Sequence, residues 1–129
     1  MNERIKEIIE NSGLSSEHID GYEAGWVVQN QAGEIIGYTG IERRGKRVYL
    51  QSLAVESKYR KLGIGRRLVE QAYDYLGVGD TLIALTLFWN NDFYRKCGFE
   101  KLDARRIKLL DDVAGRPKHK YCSAWGKRK

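Results

Sequence analysis

Residues 53–70, LAVESKYRKLGIGRRLVE, carry the strongest chemical signal in the chain. Gly63 and Gly65 fall between an apolar, strand-like run and a helix-like run, and Arg60, Lys61, Arg66 and Arg67 surround them. A helix start presents free backbone N–H groups and a partial positive charge, which suits a phosphate. Glycines let the backbone approach a ligand and take conformations that a Cβ forbids. The arrangement therefore suits a pyrophosphate. A loop that only turns the chain from strand to helix would use the same glycines. Two common nucleotide-binding patterns fail on the residues. A P-loop needs lysine and then a hydroxyl residue after its last glycine, but Arg66 and Arg67 follow Gly65. A dinucleotide fingerprint needs a third glycine where Leu68 stands.

The elements around this loop follow from periodicity. Ile5, Ile8 and Ile9 recur at helical spacing, so a helix is expected over residues 3–11, with Gly13 at its C-cap. Strands are expected over 22–30, 34–43 and 47–55, joined by turns at Asn30–Gly33 and Arg44–Lys46. From Arg66 the set Leu68, Val69, Ala72, Tyr73 and Leu76 keeps helical spacing until Gly77 and Gly79 stop it. Residues 81–88 read as a central strand, and 90–96 as a short helix closed by Gly98. A strand follows from Phe99, and a final one is expected over 119–127, entered through a turn at Gly115-Arg116-Pro117. The first three strands should be antiparallel. The two flanking the Arg66 helix should be parallel, joined by a right-handed crossover. This is a mixed α/β sheet with helices on its faces. The chain has 129 residues, one domain's worth.

The sequence resembles the GNAT acyltransferase family at Arg60-Lys61-Leu62-Gly63-Ile64-Gly65, which matches the family's Arg/Gln-x-x-Gly-x-Gly/Ala signature. NNDFYRKCGFEKL, 90–102, is similar to the family's second motif, with Asn90, Tyr94 and the Gly98-Phe99 pair in place. GEIIGYTGIE, 33–42, is similar to its second and third strands, so the match runs over about residues 22–103. The resemblance implies a mostly antiparallel mixed sheet with a splayed central parallel pair. It also implies an acetyl-CoA-dependent N-acetyltransferase. The main chain of Leu53, Ala54 and Val55 would pair with the pantetheine arm. The N–H groups from Arg60 through Arg66 would hold the pyrophosphate. Asn90 would hydrogen-bond the arm from the other side, and Tyr94 would sit near the thioester sulfur.

In that family the acceptor attacks the thioester directly, so no enzyme nucleophile is needed. Neither Cys97 nor Cys122 sits in an activated setting. Tyr94 is the candidate acid for the leaving thiolate, and its other reading is a core tyrosine beside Phe93 and Phe99. A backbone N–H near Val55 would meet the developing oxyanion. Many relatives carry a carboxylate on the strand before the loop, but residues 47–55 contain no Asp or Glu. Glu42, ending the preceding strand, is the nearest acidic candidate for the base. Its other readings are a solvated charge beside Arg43 and Arg44, or a water relay in its place. His18, Asp20 and Glu23 lie where acceptor-side loops often sit, and His18 and His119 otherwise read as surface histidines. Trp26, Trp89 and Trp125 read as core or rim, and no cluster has metal-ligand spacing.

Hydrophobic residues make up 42% and charged residues 31%, as in a globular domain. The net charge of +6 sits beyond Asp112, in Arg116, Lys118, Lys120, Lys127, Arg128 and Lys129. That excess reads as a solubilising terminus with fraying ends, with an anionic partner as the other reading. Residues 1–112 are balanced, which argues against nucleic acid. Two cysteines do not make a disulfide framework and read as intracellular thiols. The N-terminus lacks a signal-peptide layout, and TLIALTLFW is too short to span a bilayer, so a cytoplasmic protein is expected. The expected acceptor is the amine of a small molecule, amino acid or peptide. The short acceptor-side segment leaves room for a homodimer to complete the pocket. A CoA-binding regulatory domain without transfer activity is the alternative.

Overall fold

A computed structural model describes residues 2–87, 90–103 and 122–129. Helix α1 spans Glu3–Asn11, and the Asn2 side chain caps its first turn by accepting from Arg4 N at 2.8 Å. Gly13 ends it at φ +78, with Gly13 N donating to Glu10 O and Leu14 N to Ile9 O. Strands β1 (Ala24–Gln29), β2 (Ile35–Arg44) and β3 (Arg47–Val55) form the expected antiparallel meander. Helix α2 (Ile64–Tyr75) leads to strand β4 (Thr81–Leu87), which pairs parallel with β3. Helix α3 (Asn91–Lys96), β5 (Glu100–Leu102) and β6 (Cys122–Arg128) complete the chain.

The sheet order is β1-β2-β3-β4-β6-β5. Its two faces are distinguished by the alternation of neighbouring residues. Val48, Leu50, Leu82 and Ala84 cluster with Val69 and Ala72 of α2 and with Leu76 at its C-cap. Tyr49 and Ile83, which alternate with them, join Ala124 in a separate cluster. Tyr38 and Ala54 cluster with Ile8 and Ile9 of α1, whereas Ile41 joins the α2 cluster. Helices α1 and α2 therefore cover opposite faces.

Three expectations change. Helix α2 begins two residues earlier than expected, because Gly63 takes the N-cap position at φ +82. Two 3-10 turns, Ile19–Gly21 and Ser57–Tyr59, lie in segments read as loop. The basic C-terminus is not a frayed end. Strand β6 sits between β4 and β5, pairing Lys127 with Leu82 and Arg128 with Thr81. Lys129 N donates to Asp80 O, and Gly79 N donates to Lys129 O, both at 2.9 Å. Long-range ladder pairing holds these residues, and their local charge gives no hint of it. The turn at 115–117, Trp89, His119 and the remaining basic residues of the C-terminal segment lie outside the described residues. No helix among the described residues is long and apolar enough to cross a membrane.

Candidate active site

Strands β3 and β4 pair only at Arg47↔Thr81, Val48↔Leu82 and Tyr49↔Ile83. β3 then continues to Val55 and β4 to Leu87 without a further rung between them. β4 stays paired with β6 as far as Leu87↔Cys122. The two parallel strands thus part like a V. Between them lies a cleft of about 810 Å³, lined from β3, the loop before α2, α2, β4 and α3.

The glycine loop closes one end. Gly63 sits at φ +82 with open space where a Cβ would project. Lys61 also takes a positive φ of 66, so two left-handed residues aim the loop. No side chain caps α2, and its first turn holds no acid. Among the described residues, the amides of Lys61 through Arg66 donate to no backbone carbonyl outside α2. The first N–H groups of a helix also have no partner within it. Arg60 differs from its neighbours: its amide donates to Ser57 O at 3.3 Å. Its guanidinium folds back, with Nε on Val55 O at 3.1 Å and an Nη on Ser12 Oγ at 3.4 Å. Arg66 is extended along α2 and pairs with Glu70 at 3.1 Å.

The other wall comes from α3 and the end of β4. Asn90 lines the cleft and donates to Thr86 Oγ1 at 2.9 Å. Tyr94 lines it too, although only 7% of the residue is exposed. Its ring meets Phe93 and Phe99 edge-on, at 5.0 and 5.5 Å between centroids. Burial, and secondarily the neighbouring Cys97, raise its phenol well above the usual tyrosine value. Tyr94 therefore packs as a core tyrosine beside Phe93 and Phe99 and also lines the cleft. Cys97 is a buried free thiol at the cleft wall, also raised chiefly by burial.

Of the sequence-derived candidates, Leu53, Ala54, Val55, Arg60, Lys61, Gly63, Ile64, Gly65, Arg66, Asn90, Tyr94 and His18 all reach this cleft. Leu62 does not line it, and its side chain is exposed. Glu42 is also absent from the lining. It accepts from Gln51 Nε2 at 3.2 Å and pairs with Arg44 at 3.2 Å. Asp20 does not reach the cleft, and Glu23 instead binds Arg43 at 2.9 Å. The sequence reading missed Tyr22, Gln51 and Ser52, which line the cleft where β3 leaves β4. No local motif marks them. Among the described residues, no group of three or more His, Cys, Asp or Glu could hold a metal ion.

Residues 21–101 match the family model for the acetyltransferase (GNAT) domain. No curated protein was found to match the chain. Solved structures share the fold. One is an acetyltransferase of the GNAT family from Staphylococcus aureus Mu50, with a TM-score of 0.68 and 19% identity, covering 98% of this chain and 91% of that one. Another is a Bacillus subtilis acetyltransferase in complex with CoA, with a TM-score of 0.70 and 18% identity, covering 100% and 93%. N-acetylglutamate synthase from Neisseria gonorrhoeae, complexed with coenzyme A and N-acetyl-glutamate, aligns with a TM-score of 0.70 at 17% identity. That alignment covers 96% of this chain and only 32% of the synthase.

Proposed function

This chain belongs to the GNAT acetyltransferase family, and from that premise we propose that it moves an acetyl group from acetyl-CoA to a primary amine of a small molecule, amino acid or peptide. The observation that carries this reading is the parting of β3 from β4 after Tyr49↔Ile83, beside a helix start whose amides are unspent. A cleft of about 810 Å³ is in the range of small-molecule sites. The residues fit the group. The amides from Lys61 to Arg66 would hold a pyrophosphate without competition from a side-chain cap. The main chain of Leu53–Val55 offers the pantetheine arm a strand edge, and Asn90 stands on the opposite wall.

When bound, acetyl-CoA supplies a thioester whose C–S bond breaks as the amine nitrogen bonds to the carbonyl carbon, the sulfur taking up one proton and the nitrogen losing one. Tyr94 is the proton donor to that sulfur. Its raised phenol stays protonated through neutral and mildly alkaline pH, as a donor must. A backbone N–H near Val55 stabilises the developing oxyanion. Glu42 is the base candidate, acting from behind Gln51 on a proton that reaches it through solvent.

A second reading, a CoA-binding regulatory domain without transfer, draws on one observation: among the described residues, no carboxylate lines the cleft. Titration calorimetry with acetyl-CoA, followed by thiol release across a panel of spermidine, tyramine, lysine and a short peptide, separates the two. Transfer predicts saturable thiol release with at least one amine. The regulatory reading predicts binding with none. Absence of binding defeats both.

A further inference from the structure

We propose that Tyr22 and Ser52 are the acceptor-positioning pair of this site: their oxygens receive the N–H groups of an incoming neutral amine and leave its lone pair turned toward the acetyl group. The proposal rests on the transferase reading above. Tyr22 Oη and Ser52 Oγ lie 2.8 Å apart, and both residues line the cleft. Between them the two hydroxyls keep lone pairs free to accept N–H donors.

Ser52 stands out in the backbone. It takes φ +57 within a strand, where a residue with a Cβ is disfavoured. The β2–β3 register slips at the same place, between Tyr38↔Ala54 and Gly40↔Gln51. This bulge turns a side chain out of the regular alternation, as bulges beside active sites do. Backbone held in such a region needs surrounding structure to maintain it.

Tyr22 is part of that structure. Its ring lies against Gly40 on β2, where any Cβ would overlap the ring. Gly40 thus provides the seat that brings a residue from before β1 over to β3. The phenol is held above its ordinary value by burial, with Glu42 adding to the rise against the Ser52 hydrogen bond. Glu42 itself pairs with Arg44 at 3.2 Å and accepts from Nε2 of Gln51, the residue next to Ser52 along β3.

Position along β3 gives the pair its role. Ser52 lies three residues from Val55, at most about 10 Å along a strand, on the side away from the α2 N-terminus. A pantetheine arm held along Leu53–Val55 would bring its thioester toward the Ser52 end of the cleft. Tyr94 stands on the α3 wall of the same cleft. The pair and Tyr94 would then address the acetyl group from different walls, one for the nucleophile and one for the leaving sulfur.

The test uses Ser52→Gly, Tyr22→Phe and the double variant, each assayed with acetyl-CoA and the panel amine that the wild type turns over fastest. Glycine suits φ +57, so Ser52→Gly removes the hydroxyl while easing the backbone. Tyr22→Phe keeps the ring on Gly40. The expected result is an amine KM raised about threefold to tenfold in each single variant, the loss of one hydrogen bond. The acetyl-CoA Kd should stay within about twofold, and the double variant should fall short of the product of the singles, since the two act as one unit. Unchanged amine KM in both singles overturns the proposal, as does a rise in acetyl-CoA Kd that accounts for the whole loss. A wild type that binds acetyl-CoA but acetylates none of the panel also overturns it, leaving the coenzyme site standing. A wild type that does not bind acetyl-CoA removes the transferase reading first and this pair with it.

Discussion

Deleting Lys127, Arg128 and Lys129 should cost a large share of the stability of this domain. Lys129 joins its own amide and carbonyl to Asp80 and Gly79, both at 2.9 Å. Its Nζ donates to Asp74 O at 2.7 Å and Tyr73 O at 3.2 Å, in the last turn of α2. A cation there also meets the negative end of the helix dipole. Tyr73 Oη donates to Arg128 O at 2.9 Å, and Lys127 Nζ donates to Cys97 O at 3.1 Å while lying 4.4 Å from the Tyr73 ring centroid. Six such hydrogen bonds at about 0.5–1 kcal/mol net each, since several are exposed, put the loss at about 3–6 kcal/mol. A domain of this kind has only about 5–15 kcal/mol in total. The side chain of Lys129 alone accounts for about 1–2 kcal/mol, which Lys129→Ala measures. Urea unfolding followed by tryptophan fluorescence and circular dichroism gives the midpoint, with the slope checked for constancy. A truncated chain within about 0.5 kcal/mol of wild type would refute the reasoning, because surface changes away from packed features have effects of that size. The same truncation opens β6, so it probes stability and not the binding of anions.

Gly63→Ala should lower the melting temperature by about 3–8 °C, from about 1–2 kcal/mol of left-handed strain with no clash to add. It should also weaken acetyl-CoA binding about tenfold, and an unchanged Kd in calorimetry would detach the loop from the coenzyme. Tyr94→Phe should lower kcat about 10²-fold at saturating acetyl-CoA while leaving its Kd unchanged, and equal turnover would end the acid role. Stability should fall at both pH extremes in urea titrations. Arg43 holds Glu23 and Asp80 below their ordinary values, with the Gly77 N–H a further cause for Asp80. Folded carboxyls with lowered pKa contribute above their unfolded values of about 4, so their contribution is lost as pH drops through the folded ones. Burial lifts Tyr38 to about 12 and raises Tyr22 and Tyr94. The folded state then keeps protons that the unfolded chain releases near pH 10, so stability declines from about pH 10 upward. A flat profile on either limb would contradict the corresponding network.

Local residue order was enough to determine the glycine loop, the helix that follows it and the antiparallel meander. Gly63, Gly65 and the spacing of Leu68, Val69 and Ala72 act within a few residues of one another, and such signals survive in a sequence. The placement of Asn90 and Tyr94 on the opposing wall was legible only through the family motif. The parting of β3 from β4 was not legible from these residues' own spacing, because it depends on how two strands separated by a helix pair and then diverge. Nor was the insertion of β6 between β4 and β5, which turns three terminal cations from an expected solvated tail into ladder partners and a helix cap. The Tyr22–Ser52 contact joins residues 30 apart in the chain through a bulge and a seat at Gly40. Short-range propensities act over a few neighbours, whereas register, bulges and sheet order are settled by what packs across the whole domain. The glycine loop is therefore written in the sequence, and the Tyr22–Ser52 end of the cleft exists only once the sheet is assembled.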